Sequence, residues 1–112
     1  MKLINLIDEI KEGIDINTLL RRELGTDLSE LVDLCIVELC MRDLISLESE
    51  VKLFNSDSIS DMRNFQINGI NYVSLLPFDM FLEFVEEAKK LPQFPTSLSI
   101  AERFLDYIEN DA

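Results

Sequence analysis

Between Asp27 and Leu47 the chain reads DLSELVDLCIVELCMRDLISL, its longest near-continuous apolar run, with neither Gly nor Pro to interrupt it. Such a stretch has to be buried, so the remaining elements must be arranged to cover it. Asp27 followed by Glu30 three residues later has the form of a helix start, a capping acid with a glutamate at the third helical position. Projected at about 100° per residue, Leu28, Leu31, Val32, Cys35 and Leu39 share one face, with Ser29, Glu30 and Asp33 away from it. The stripe then rotates. Cys40, Leu44 and Leu47, led by Ile36 and Val37, occupy a second face, and Glu38, Arg42, Asp43 and Ser46 fall where the first half was apolar. Around Leu34 to Val37 the projection is apolar all round, as for an element covered on several sides. The expectation is a buried central helix over 27–47 that passes between two groups of elements and joins them.

On the N-terminal side, Leu3, Ile4, Leu6, Ile7 and Ile10 recur at helical spacing opposite Asn5, Asp8, Glu9 and Glu12, and Gly13 is placed to end that helix. Its polar face is acidic, which favours packing on the core over a membrane surface. A second helix has Asp15 or Asn17 as its cap, Leu19, Leu20 and Leu24 as its buried face, and Gly25 as its terminator. Arg21 and Arg22 are expected to pair with neighbouring acids.

Beyond the central run the period changes to two. Glu48, Glu50 and Lys52 alternate with Ser49, Val51 and Leu53, a half-buried strand; Phe54 falls on the charged side, so either the strand ends there or its outer face is partly covered. NSDSISDMRN, residues 55–64, reads as a loop and lacks the order of ligands of a calcium loop. Asn68-Gly69 between Phe65-Gln66-Ile67 and Ile70-Asn71-Tyr72-Val73-Ser74-Leu75 is a strong hairpin signal, because a type I′ turn needs positive φ at both central residues. Pro77 can open the next helix, Phe78 to Leu91, which buries Phe78, Phe81, Phe84, Val85, Ala88 and Leu91. After the connector LPQFPTS, Ser99 and Glu102 suggest a capping box for a last helix with Ile100, Ala101, Phe104, Leu105 and Ile108 inward. The predicted class is α+β, one domain over 1–112: about five helices around a buried central helix, with a small antiparallel sheet containing the hairpin at Asn68-Gly69.

Charge limits the partners. The chain has 10 Lys plus Arg against 22 Asp plus Glu and no His, a net charge of −12 over 112 residues. Phosphate backbones and anionic lipid repel such a surface, so neither nucleic acid nor membrane is an expected partner, whereas a basic protein is attracted. Absence of His removes the usual acid–base group near neutral pH and the commonest metal ligand. With Cys35 and Cys40 both read as reduced core residues, no activated nucleophile stands out, and the glycines are too scattered to cradle phosphate. No cofactor, metal or catalytic residue is assigned, and no enzymatic activity is expected. MKLINLIDEIKEG lacks the pattern of a signal peptide, no run is long enough to span a bilayer, and the reduced cysteines fit a cytoplasmic setting.

Acids concentrate towards the C-terminal end. From Asp79 onward, Asp79, Glu83, Glu86, Glu87, Glu102, Asp106, Glu109 and Asp111 face only Lys89, Lys90 and Arg103, a net −5. Asp79, Glu83 and Glu86 repeat at i, i+4, i+7 on one helix, and Glu102, Asp106 and Glu109 do so on the next. One role for such stripes is only to keep a helix face solvated. Their sum also suits electrostatic steering of a cationic partner, which makes Asp79, Glu83, Glu86, Glu87, Glu102, Asp106 and Glu109 the candidate partner-binding residues. In size, charge and lack of catalytic equipment the chain resembles bacterial immunity proteins and antitoxins, which implies an inhibitor that neutralises a basic, nuclease-like toxin. The alternative is a non-catalytic scaffold or regulatory interaction module, for which helices followed by a hairpin allow a winged-helix-like arrangement without the basic residues of a DNA reader.

Overall fold

The computed structural model describes residues 1–25, 37–55 and 64–110 of the chain. The first helix, α1 (Leu3–Lys11), buries Leu3, Leu6, Ile7 and Ile10, the i, i+3, i+4, i+7 set that its sequence presents. In α2 (Ile16–Leu24) the Asp15 carboxylate accepts from the Thr18 backbone N–H at 3.1 Å, and Gly25 closes the helix at φ 73°, where a Cβ would be strained. Arg22 grips Glu9 with both terminal nitrogens, at 2.9 and 2.8 Å, and so ties α2 to α1, the pairing with a nearby acid expected of it.

The expected helix over 27–47 is overturned in its described half. Residues 26–36 lie outside the described part, and the sequence that follows is a strand, β1 (Val37–Arg42), continued by bends and turns to Ser49. A period of two was present in it: Val37, Leu39 and Met41 face the helices, while Glu38, Cys40 and Arg42 take the other side. Cys40 is fully buried as well, so the run looked apolar on every face. A strand covered on both sides and a buried helix share that appearance, and periodicity alone does not separate them. Asp43, at φ 66°, turns the chain away from the strand, and Leu44, expected inside, is 59% exposed.

Even so, β1 occupies the middle of the fold. With β2 (Val51–Asn55), β3 (Asn64–Ile67) and β4 (Ile70–Pro77) it forms an antiparallel sheet in the order β2-β1-β4-β3. The register runs Leu39 opposite Leu53 on one side and Met41 opposite Val73 on the other; a shift between Leu39 and Cys40 leaves Leu75 as an extra, bulged residue on β4. The strand expected over 48–53 starts at Val51 and runs through Phe54. Val51 and Leu53 point inward, and Phe54 packs on the opposite face against Phe65 and Tyr72, ring centroids 5.7 and 4.9 Å away. At the hairpin, Asn68 and Gly69 have φ of 54° and 81°, and Ile67 pairs with Ile70 and Phe65 with Tyr72. The hairpin is joined to the sheet through β4, which pairs with both β3 and β1.

Two helices complete the described chain. Pro77 precedes α3 (Phe78–Lys89), and Leu91, expected on its buried face, lies past its end and is 42% exposed. The last helix, α4 (Ser97–Asn110), begins two residues before the expected cap. Its capping box is Thr96 with Ser99: Ser99 N–H donates to Thr96 Oγ1 at 3.1 Å, and Thr96 N–H donates to Ser99 Oγ at 3.2 Å. Glu102 takes no part and is exposed. The class is therefore α+β, with four helices and a four-stranded antiparallel sheet among the described residues.

One hydrophobic cluster joins Leu3 through Ile10, Leu19 and Leu20, the inward residues of β1 and β2, Leu76, and the apolar faces of α3 and α4. At its centre Phe78, Phe81 and Phe104 are fully buried, each worth on the order of 1.5–3 kcal/mol of burial. Phe81 meets Phe104 edge-on at 4.9 Å, which seats α3 against α4.

Candidate functional site

Since Phe81, Val85 and Ala88 of α3 and Ile100, Phe104 and Ile108 of α4 point into the core, the acids between them must face outward. Where each carboxylate lies depends on which shoulder of its helix it occupies. On α3 the half-buried Phe84 leans towards α4, 5.3 Å from Phe104 and 5.7 Å from Tyr107 between ring centroids. Glu83 and Glu87 flank it, and with Leu76, Met80 and Tyr107 they line a shallow groove of about 260 Å³. Met80, 45% exposed, forms its lip.

Of the seven acids expected to act together, two line this groove. Glu83 and Glu87 line the groove, and Glu102, Asp106 and Glu109 of α4 do not. Glu86 is paired within its own helix to Lys89 at 3.1 Å. Asp106 is held by Arg103 at 3.2 Å and by the Asn110 side-chain amide at 2.7 Å. Asp79 sits in the first turn of α3, where the helix dipole favours a negative charge, and its Oδ1 is buried with no hydrogen-bond partner among the described residues. Glu83, Glu87, Glu102 and Glu109 are exposed and have neither hydrogen bond nor ion pair among the described residues.

The groove's apolar walls are what the sequence did not offer. Met80 and Tyr107 fall on helix shoulders, outside the buried faces that hydrophobic spacing picks out, and only the packing of α3 on α4 brings them together. A usable signal was present in α3, where Met80 and Phe84 stand four apart beside Glu83 and Glu87.

Cys40 is a free thiol whose burial, with the nearby Glu38 charge, pushes its pKa up to about 12, the opposite of what a nucleophile or thiolate ligand needs. It stands on a strand and not on the expected helix, and Cys35 lies outside the described residues. Ser74 donates its hydroxyl hydrogen to the Glu38 carboxylate on the same sheet face. Among the described residues no group of three or more His, Cys, Asp or Glu side chains could hold a metal ion, and no helix is long and apolar enough to cross a membrane. A hollow near the hairpin, about 310 Å³, is lined by Asp43, Asn64, Phe65, Gln66, Asn71 and Tyr72, but the Gln66 amide is already given to Asn71 at 2.7 Å.

Comparison of the chain with protein-family models, with curated proteins and with solved structures finds no match.

Proposed function

We propose that this chain is an acidic protein-binding inhibitor, of the kind represented by bacterial immunity proteins and antitoxins, and that its α3–α4 surface covers the cationic site of a basic, nuclease-like toxin. The observation that carries this reading is the pair of carboxylates, Glu83 and Glu87, that have no partner among the described residues and stand beside the exposed Met80. Like charges at i, i+4 on one helix destabilise it by about 0.2–0.5 kcal/mol, and a cationic partner reverses the sign of that interaction. An apolar patch rimmed by charge also has the composition of a recognition surface, in which the apolar centre supplies affinity and the rim supplies specificity and rate. The net charge of −12 extends the attraction beyond contact range at low salt.

Co-expression tests it. The polypeptide encoded next to this chain's gene is produced in a bacterial host alone and together with the chain. Growth arrest that the chain relieves is the expected result, with association that slows as salt is raised. A neighbour that arrests growth regardless of the chain, or one that is harmless, would contradict the inhibitor reading. Binding that withstands high salt would favour the scaffold or regulatory module instead.

A further inference from the structure

We infer that the groove between α3, α4 and the end of β4 receives one large apolar side chain from a segment that carries lysine or arginine on either side of it. This deepens the reading above and rests on it, because it names the partner's chemistry at the same surface. At about 260 Å³ the groove is below the roughly 300–1,000 Å³ of small-molecule pockets and is shallow, so it suits a side chain of a docked segment better than a free ligand. Its walls are preformed. Phe84 is held by ring contacts with Phe104 and Tyr107, and Leu76 is 7% exposed on the end of β4. Only Met80, unbranched and adaptable, has to rearrange around an incoming group.

Charge decides the occupant. Glu83 and Glu87 stand at the rim without a cation among the described residues, so a segment that places positive charge beside its apolar anchor gains two ion pairs that the folded chain leaves unmade. A second copy of the chain is disfavoured, since a two-fold contact through this face would set Glu83 and Glu87 against their own equivalents. Anionic surfaces are disfavoured for the same reason. The other exposed large apolar residues, Leu44, Leu91 and Leu98, do not line this groove.

The chain contains no tryptophan, so a tryptophan-bearing peptide reports binding without background. Capped KKWLKK and EEWLEE are titrated with the full chain at low ionic strength, and tryptophan emission is followed. The expected result is a saturable blue shift with KKWLKK and none with EEWLEE. Met80→Ser should weaken KKWLKK about tenfold, and so should the double change Glu83→Gln with Glu87→Gln, while Glu102→Gln with Glu109→Gln changes it less than about twofold. Circular dichroism confirms that each variant is folded. Equal weakening by both glutamine pairs, or no effect of Met80→Ser, would overturn the groove as the docking site and leave the acidic inhibitor reading standing. Absence of any KKWLKK binding while the neighbouring polypeptide is still neutralised would also overturn the groove alone; absence of both would overturn the two together.

Discussion

Acidic side chains are frequent in both the N-terminal and the C-terminal part of this chain, but they are used differently. In the part built from α1, α2, β1 and β2, Asp8 accepts from Ser97, Glu9 and Glu23 hold Arg22, Asp15 caps α2, Glu38 accepts from Ser74, Glu48 holds Lys2, and Glu50 holds the amino group of Met1. Several of these links join segments far apart in the chain: Asp8 and Ser97, Glu38 and Ser74, Glu48 and Lys2. On α3 and α4 the carboxylates are either without a partner, as Glu83, Glu87, Glu102 and Glu109 are among the described residues, or paired three positions away on the same helix, as Glu86 and Asp106 are. Acids of the first kind help define the tertiary structure. Those of the second kind join no two elements among the described residues.

Breaking a long-range link should have the largest effect. Asp8→Ala leaves the buried Ser97 hydroxyl without its acceptor and should lower the unfolding free energy by about 1–3 kcal/mol, read as a lower urea midpoint at unchanged slope. Arg22→Ala removes the two-pronged grip on Glu9 across α1 and α2. The pair is partly solvated, so the loss in the same measurement should be no more than about 1 kcal/mol.

Acid should expose the same division. Lys2 and the Met1 amino group hold Glu48 and Glu50 below their ordinary pKa of 4.5, chiefly through hydrogen bonds to the charged carboxylates. Groups lowered on folding contribute stability above their unfolded pKa and lose it as pH falls through the folded one. The contribution of these two pairs should therefore be present above the ordinary pKa and be lost as pH falls below it, and Lys2→Met should make the urea midpoint less dependent on pH in that range. The smallest effect belongs to the locally paired acids: Glu86→Gln should change stability by less than about 0.5 kcal/mol. A loss as large as that of Asp8→Ala would place Glu86 among the acids that hold the fold together.

Much of the architecture was legible in the sequence, for reasons that differ between elements. The apolar spacing of α1 and α2 and their terminators Gly13 and Gly25 are local features, and so is the positive-φ demand that makes Asn68-Gly69 a turn; none depends on what packs above them. Val37 to Arg42 was misread because its identity is set by pairing. A strand flanked by β2 and β4, with Cys40 buried on the face away from the helices, loses the alternation that marks a half-exposed strand. The start of α4 was displaced because Thr96 takes the capping position and Ser99, read as the cap, supplies the reciprocal side chain of the same box. At the candidate site the acids could be counted from the sequence, but Met80 and Tyr107 could not be joined to them before α3 and α4 were packed together.

The most direct test of the division between structural and free acids needs no partner. Glu83, Glu87, Glu102 and Glu109 are all changed to Gln, and thermal unfolding is compared with that of the original chain at low ionic strength. Removing four negative charges that have no partner among the described residues from a chain of net charge −12 should leave the melting temperature unchanged or raise it, through relief of self-repulsion. A fall of about 3 °C or more would mean that these carboxylates hold the fold together, and would contradict the assignment of this surface to a cationic partner.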